Sequence, residues 1–359
     1  MGYARTEMLP ENRGFETHFG YLNGAEDHYD RSVCVKTHFK NKPGFCGIDF
    51  RDNGANRNIT AGVYSADLYT ERIERIVSEH DRDEPLFLYA ALQNVHFPLE
   101  APEKYLEHYK WINNHDRRVY AAMTMALDES IGRIVAAFKE KNLWEETIVY
   151  FTTDNGGSSL YGGNNYPYRG IKATNWEGGI KGIGSLKVPN VKPGPRSQLI
   201  HVSDIFPTLS ALTKCIPCKK DRAKWDGVDQ SLSLVGDSPS SRREFLINID
   251  PLTSSHGADN RQWNTTFDVH VKAGLRWNQW KLLTGDPGGP DNHVYPPELD
   301  NKPEKLRFVP EKRPVVEDDF SVGSKWNKRV ALFDIESDPL ELVDQSGNNY
   351  FAKCQLQQI

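Results

Sequence analysis

An alternation of helical and apolar extended segments along residues 65–157 most constrains what this chain can fold into. Two segments repeat apolar side chains at helical spacing, and each is followed by a nearly continuous apolar run that ends in polar residues. The segments are, in order, a helix at 65–80, a strand at 84–96, a helix at 116–141 and a strand within 146–157. Such apolar runs are typical of strands buried on both faces of a parallel sheet. The alternation predicts an α/β fold with a mostly parallel sheet flanked by helices.

The pattern changes in the last third of the chain. RREFLINID (242–250), VHVKAGLRWNQWKLLTG (269–285) and KRVALFDIESDP (328–339) predict antiparallel strands joined by Pro-, Gly- and Asn-rich connections. We therefore predict an α/β domain at 1–235 and a smaller C-terminal α+β domain, with an antiparallel sheet and a tail, at 236–359.

One further apolar run and helix are predicted near the end of the first domain, in QLIHVSDIFPTLSALTK (198–214). Ser203 is expected to cap this helix, and Pro207 falls in its first turn.

Charge and hydropathy exclude two classes of partner. The chain has 44 basic and 49 acidic residues, a net charge of −5, with both signs mixed along its length. A nucleic-acid binder usually shows a basic stripe, and none is present. No apolar run approaches the roughly 18 residues of a membrane span. The N-terminal MGYARTEMLP lacks the apolar region of a signal peptide.

Five cysteines and two sequons favour an extracellular or lysosomal protein. Cys34 and Cys46 are twelve residues apart around a KPGF turn, a spacing that one disulfide can close. The CIPC at 215–218 is open to three interpretations: a local disulfide, a redox pair or half of a zinc site. Asn58 and Asn264 stand in Asn-x-Thr acceptor sequences for glycosylation.

Polar residues follow two of the predicted strands where they end. His96 follows the first, and Asp154-Asn155 follow the second. Ligands of open α/β sheets lie at the carboxyl ends of strands, and an adjacent carboxylate and amide offer two oxygens to a hard cation. The alternative is plain: Asp-Asn-Gly is a common turn, and a lone histidine is more often structural.

A glycine-rich stretch, 152–179, follows directly and contains seven of the 28 glycines. Glycines of this kind bend tightly or leave clearance for a ligand, and we interpret them as clearance. Lys172 lies within the stretch; it is either a solvated surface charge or an anion ligand. A metal, a lysine and a histidine together suggest chemistry on an anionic ester, sulfate or phosphate.

TIVYFTTDNGGSSLYGGNNYPYRGIKATNWEGGIKGIG (147–184) resembles the calcium-dependent sulfatases, in particular the arylsulfatase B-like branch. LPENRGFETHFGYLNGAEDHY, FLYAALQNVHFPLEAPEKYL, HVSDIFPTL, WKLLTG and LFDIESDPLE resemble the same branch in the same order. The resemblance implies an alkaline-phosphatase/sulfatase-like fold. It implies that Asp154 and Asn155 bind Ca²⁺, that Lys172 binds sulfate oxygens, and that His96 contacts the ester and helps to protonate the leaving group.

The same resemblance implies a disulfide between Cys34 and Cys46 and glycosylation at Asn264. It implies hydrolysis of sulfate esters, including N-acetylgalactosamine 4-sulfate of glycosaminoglycans, in lysosomes or after secretion.

This chain departs from the family pattern at its N-terminal side. The family nucleophile is a formylglycine made from the cysteine of Cys-x-Pro-x-Arg, and none of the five cysteines stands in that motif. The N-terminal aspartate pair and a Gly-Lys-Trp-His motif are also absent. We therefore expect a chain that begins after the first strands and the nucleophile helix, with an incomplete calcium site and no turnover by itself.

Two other functions remain open. One is a non-catalytic sulfatase-like protein that binds sulfated glycans or a protein partner. The other, phosphodiester hydrolysis on a related fold, is disfavoured by the detailed match around Lys172. Neither the oligomeric state nor the preferred sulfated sugar follows from the residues.

Overall fold

The computed structural model describes residues 5–35, 45–56, 62–215, 222–236, 238–254, 268–288 and 330–347. By their internal contacts these residues form two compact units. The first comprises described residues up to Thr147 together with Leu160–Gly163, and the second comprises Ile148–Ser159 and described residues from Asn164 onward. The units divide near residue 148. The domain boundary predicted between residues 235 and 236 stays a prediction.

The first unit combines helices with short antiparallel strands. Its elements are α1 (Ser65–Glu79), α2 (Glu103–Leu106), α3 (His115–Glu140), β1 (Phe19–Tyr21), β2 (Ser32–Val35), β3 (Phe45–Ile48), β4 (Phe50–Asp52) and β5 (Ala55–Asn56). Strands β1, β4 and β5 form one sheet, and β2 pairs with β3. The predicted helices at 65–80 and 116–141 are confirmed by α1 and α3.

Helices α1 and α3 bury part of their apolar stripes, namely Leu68, Ile73 and Val77 of α1 and Val119 and Met123 of α3. Ala66 of α1, Tyr105 of α2 and Ala122 of α3 lie in one buried cluster. Asn114 is the N-cap of α3: its side-chain oxygen accepts a hydrogen bond from Arg117 N at 2.9 Å. Apolar burial of this kind stabilises by about 25 cal/mol per Å², so packing rather than intrinsic propensity holds these helices.

The buried strand predicted at 84–96 is wrong. The segment forms no strand, and the side chains of Phe87 and Tyr89 are 69% and 61% exposed. A strand requires a hydrogen-bonded neighbour, and no strand among the described residues pairs with this segment. The segment is instead held at its end, where Asn94 Nδ2 donates to Met123 O of α3 at 2.8 Å.

The second unit contains two antiparallel sheets in the part that the structure describes. Its elements are β6 (Val149–Thr152), α4 (Glu177–Ile180), β7 (Gly184–Lys187), α5 (Ile205–Leu212), α6 (Ser231–Val235), β8 (Glu244–Ser254), β9 (Val271–Trp277), β10 (Trp280–Thr284) and β11 (Val330–Asp334). Strand β6 pairs with β7, and the other four form a sheet in the order β11-β10-β9-β8. The C-terminal antiparallel sheet predicted from the sequence is confirmed.

The four-stranded sheet is buried on both faces near its β10–β11 edge. Leu282 and Leu332 belong to a cluster on one face, while Leu283 and Phe333 belong to a cluster that contains Trp176. Successive residues of a strand point to opposite faces, which explains why neighbours enter different clusters. Every strand pairing between described residues is antiparallel, so the predicted parallel sheet is not confirmed. No described helix is long and apolar enough to cross a membrane.

The segment 198–214 begins without the expected strand and with a different cap. His201, not Ser203, is the N-cap of a short 3-10 helix, and Asp204 Oδ2 accepts a hydrogen bond from His201 N at 2.9 Å. Pro207 lies in the first turn of α5, as predicted. The Asp204 carboxylate is fully buried and receives two hydrogen bonds, of 2.7 and 2.6 Å, from the guanidinium of Arg242. This bidentate contact ties the start of α5 to the residues just before β8.

Candidate functional site

The glycine-rich stretch after β6 packs against its own backbone. Gly156 N donates to Gly179 O at 3.0 Å, and Gly178 N donates to Arg169 O at 2.7 Å. A Cβ added at Gly156 would lie 1.7 Å from Gly178 O, and one added at Gly178 would lie 2.4 Å from Arg169 O. The interpretation of these glycines as clearance for a ligand is therefore wrong: they allow loop segments to approach each other.

Replacing Gly178 by alanine should destabilise the fold by about 1–3 kcal/mol, because the added methyl group forces two backbone segments apart. Gly184 of β7 is a matched control, since an added Cβ there meets only Phe151 O at 3.9 Å, an ordinary contact. The measurement is the free energy of unfolding in urea. Equal losses for Gly178→Ala and Gly184→Ala would contradict this account.

Asn165 holds the middle of the loop. Its Oδ1 accepts from Gly157 N at 2.7 Å, and its Nδ2 donates to Gly157 O at 2.8 Å and Gly170 O at 3.1 Å. Lys172 N donates to the same Gly157 carbonyl at 3.1 Å. Lys172 is thereby fixed beside the residues that follow Asp154. The sequence reasoning missed Asn165; its one signal was an amide inside a glycine-rich loop.

Asp154 and Asn155 supply the right kind of oxygen for calcium, but too few. Asp154 is exposed, and Asn155 is partly buried and donates from Nδ2 to Gly156 O at 2.8 Å, a contact that does not use its Oδ1. Calcium takes six to eight oxygens. Among the described residues no group of three or more carboxylate, histidine or cysteine side chains could hold a metal ion. These residues do not fit a complete calcium site.

A buried ion cluster anchors the loop to the sheet. Lys281 Nζ of β10 lies 3.0 Å from Glu177 Oε1 and 2.7 Å from Glu341 Oε1, and Lys281 and Glu341 are fully buried. Glu341 Oε2 also accepts from Glu177 N at 2.7 Å, at the start of α4. Burial raises the pKa of Glu341; Lys281 opposes this rise and the nearby Glu177 carboxylate adds to it. The cluster fixes the C-terminal end of the glycine loop.

Trp176 fills the space between the loop and the sheet. It is fully buried, lies under the Arg169 guanidinium at 3.8 Å from the ring centroid, and meets Phe333 edge-on at 5.9 Å. Such a buried cation–π contact contributes about 2 kcal/mol. Trp176 therefore anchors the C-terminal part of the loop in the core of the second unit.

His96 belongs to the first unit. It is partly buried, and its Nδ1 lies 2.8 Å from Phe97 O. A carbonyl only accepts, so Nδ1 carries a proton. The structure thus places Asp154, Asn155 and Lys172 in the second unit, with the Lys172 backbone bound to Gly157, and places His96 in the first unit.

His28 supports the main chain at His96. It is fully buried, its Nε2 lies 3.1 Å from His96 O, and its Nδ1 lies 2.7 Å from Ser65 Oγ. Burial lowers the pKa of His28 to about 4, so the ring is neutral near pH 7. Nε2 then donates to the carbonyl and Nδ1 accepts from the Ser65 hydroxyl. No pattern in the sequence distinguished His28 from the other histidines.

Of the predicted disulfide and glycosylation sites, only some lie among the residues that the structure describes. Cys34 and Cys46 face each other across β2 and β3 and form a disulfide, with their Cα atoms 4.0 Å apart. Cys215 is exposed, with no disulfide to a described residue. Asn58 and Asn264 lie outside the described residues, as do Cys218 and Cys354.

Comparison with known proteins decides the family. Residues 1–215 match the family model described as Sulfatase. The chain belongs to the sulfatase family. This sulfatase chain is 37% identical to Arylsulfatase J of Mus musculus over 353 residues, which cover 96% of the chain and 55% of that relative. It is 28% identical to N-acetylgalactosamine-6-sulfatase of Mus musculus over 232 residues, 63% of the chain and 43% of the relative.

Solved structures agree on the sulfatase fold. The crystal structure of Ps i-CgsB in complex with k-i-k-neocarrahexaose superposes with a TM-score of 0.70 at 22% identity, covering 97% of this chain and 66% of that one. At this identity the likeness shows the fold alone. The sulfatase chain spans about half the length of the curated relatives that it matches.

Proposed function

We propose that the chain belongs to a sulfuric ester hydrolase of the arylsulfatase type, acting on sulfated glycosaminoglycan sugars such as N-acetylgalactosamine 4-sulfate. Family membership supports the reaction class, and the relatives named Arylsulfatase J and N-acetylgalactosamine-6-sulfatase support the ester and sugar classes. The observation that supports the proposal for this chain is the Asn165-pinned loop, which holds the Lys172 backbone at Gly157, two residues after Asn155.

Two side chains have separate roles in the proposal. The Lys172 ammonium donates to sulfate oxygens, a charge-assisted contact that strengthens as negative charge develops. His96 protonates the oxygen of the leaving alcohol as a general acid. Because Nδ1 of His96 keeps its proton on the Phe97 carbonyl, the proton delivered to that oxygen comes from Nε2; the donating ring therefore carries protons on both nitrogens and is neutral after the transfer. The S–O bond of the ester breaks in the same step, as a nucleophile attacks the sulfur, and no formylglycine for that role can form among the 359 residues. Asp154 and Asn155 would contribute two oxygens toward a calcium ion.

A finer part of the proposal concerns turnover. No cysteine of the 359 residues stands in Cys-x-Pro-x-Arg, so no formylglycine can form among them. We propose that these residues alone bind the ester without cleaving it. The same fact favours the second candidate, a non-catalytic sulfatase-like protein that binds sulfated glycans. An upstream reading frame continuous with Met1 that encodes Cys-x-Pro-x-Arg would favour the hydrolase over this candidate.

The disulfide supports a proposal for the cellular location of the protein. Structural disulfides such as Cys34–Cys46 persist in oxidising compartments. We propose a lysosomal or secreted glycoprotein, with Asn58 and Asn264 as the acceptor residues.

Lys172→Ala should weaken binding of N-acetylgalactosamine 4-sulfate by about 10- to 100-fold, since a hydrogen bond to a charged group contributes about 1.5–3 kcal/mol. Isothermal titration calorimetry measures the affinity. Lys192→Ala is the control, because Lys192 is an exposed lysine of the same unit and its substitution removes the same charge. Equal affinities of the Lys172→Ala variant and the unsubstituted chain would refute the role of Lys172. Calcium-dependent release of 4-methylumbelliferone from its sulfate by the 359-residue chain would refute the finer part of the proposal.

A further inference from the structure

A stack of three rings runs outward from His96 in the first unit. The rings of His96 and Phe97 have centroids 5.0 Å apart at 31°, and those of Phe97 and Tyr161 are 4.8 Å apart and nearly parallel, at 11°. The stack reaches the surface: Phe97 and Tyr161 are 38% and 44% exposed. Phe97 and Tyr161 are called the aromatic platform below.

Tyr161 is held in place by the next residue, Gly162, which packs against the start of α3. Gly162 has φ +75°, and a Cβ there would lie 2.5 Å from Asp116 O, so the backbone at 162 presses directly on the start of that helix. Arg117 Nη1 donates to Gly162 O at 2.9 Å and completes the attachment. A ring held this way is ordered before a ligand arrives, which lowers the entropy cost of binding.

The chemistry of the aromatic platform suits a sugar. The face of an aromatic ring carries negative charge density, and one face of a pyranose presents several weakly polarised C–H groups, which interact with such a face. Phe97 and Tyr161 cover each other's facing sides in the stack, so the outer face of the exposed Tyr161 ring is the face that a sugar ring could cover.

We propose that the aromatic platform is a subsite on which a pyranose ring of the sulfated sugar stacks. This inference rests on the proposed function, in which His96 acts on the ester of that sugar. Phe97 contacts the rings of both His96 and Tyr161, so the exposed Tyr161 ring lies two ring contacts from the proposed general acid. Tyr161 then contributes to recognition of the sugar and has no contact with the sulfate in the proposal.

The test separates the sugar from the sulfate. Binding of N-acetylgalactosamine 4-sulfate and of inorganic sulfate is measured by calorimetry for the unsubstituted chain, Tyr161→Ala, Tyr161→Leu and Tyr89→Ala. Tyr89 is the control because it is another exposed tyrosine of the first unit. Both Tyr161 variants should weaken sugar-sulfate binding about 3- to 10-fold, the range expected for one aromatic contact. Inorganic sulfate affinity and the Tyr89→Ala variant should be unchanged.

The other possible results of these binding measurements would refute either the aromatic platform or the proposed function. Full sugar affinity in Tyr161→Leu would show that apolar bulk suffices and would overturn the stacking subsite. An equal loss of inorganic sulfate binding would show a general disturbance of the fold and would also overturn it. Sugar binding that depends on Lys172 but not on Tyr161 would refute the aromatic platform and leave the proposed function standing. Sugar binding that depends on Tyr161 but not on Lys172 would refute the proposed role of Lys172 and leave the aromatic platform standing. Absence of sugar-sulfate binding by the unsubstituted chain would refute both the aromatic platform and the proposed function.

Discussion

Replacing Lys281 by methionine should lower the free energy of unfolding by about 3–5 kcal/mol, because it leaves two carboxylates buried without their cation. Lys281 is fully buried and lies within 3.0 Å of Glu177 and 2.7 Å of Glu341. The loss should be measured at pH 7 by urea unfolding. Lys192→Met, at an exposed position of the same unit, is the control for removal of a lysine.

The size of this loss should depend on pH. The pKa of Glu341 is already raised by burial, and Lys281 is the group that lowers it, so the variant should raise it further. Above the unfolded carboxylate pKa the fold must then keep a proton that the unfolded chain releases, and stability falls as pH rises. The difference between variant and unsubstituted chain should therefore be smaller at pH 5 than at pH 7. A loss below about 1 kcal/mol at pH 7, as for an exposed pair, would contradict the role of the ion cluster.

The second large effect is expected at Glu26 in the first unit. Glu26 is fully buried, and neither carboxylate oxygen has a hydrogen-bond partner among the described residues. Burial raises its pKa to about 8; Arg31 opposes the rise, and Asp49, Asp27 and Asp30 add to it. Because this pKa lies above the ordinary value of 4.5, stability should be lost as pH rises through about 8.

The window that isolates Glu26 from the buried histidine is pH 6.5 to 8. The lowered pKa of His28, about 4 against 6.5, makes stability rise with pH between those values, which opposes Glu26. Above 6.5 only Glu26 of the two still titrates. The unfolding free energy should fall there by about 2 kcal/mol, at roughly 1.4 kcal/mol per pKa unit.

Glu26→Gln keeps the shape of the protonated carboxyl and should remove this fall. Glu79→Gln is the control, because Glu79 is exposed on α1 and loses the same charge. Unfolding in urea at several pH values between 6.5 and 8 gives the slope. If Glu26→Gln and the unsubstituted chain lose stability in parallel over that interval, Glu26 does not hold its proton in the fold.

Local sequence signals predicted several elements correctly. The apolar spacing of α1 and α3 requires only neighbours three and four residues away, and the β9–β10 pair requires only a tight connection between two strands. The strand predicted at 84–96 failed because its formation depends on a partner strand, which an apolar run does not supply. The same non-local requirement explains why the parallel sheet is not confirmed.

The candidate site divides in a similar way. Asp154, Asn155 and Lys172 were proposed from residue type and position in a glycine-rich loop, and their roles stay a prediction. Lys281 was not found, because Glu177 lies 104 residues before it and a lysine in a strand has no local sign of burial. Glu341 lies 164 residues after Glu177.

The sequence by itself determined the long helices α1 and α3, the C-terminal strands and the resemblance to the sulfatase family. Only the tertiary structure decided what Gly156 and Gly178 of the glycine-rich loop do, since the Cβ atoms that they lack would meet backbone 22 and 9 residues away in the folded loop. It also decided that Phe97 and Tyr161 stack, although 64 residues separate them. Periodicity reports on neighbours within a few residues, whereas close backbone packing, ion clusters and ring stacks arise between segments whose proximity is set by the fold.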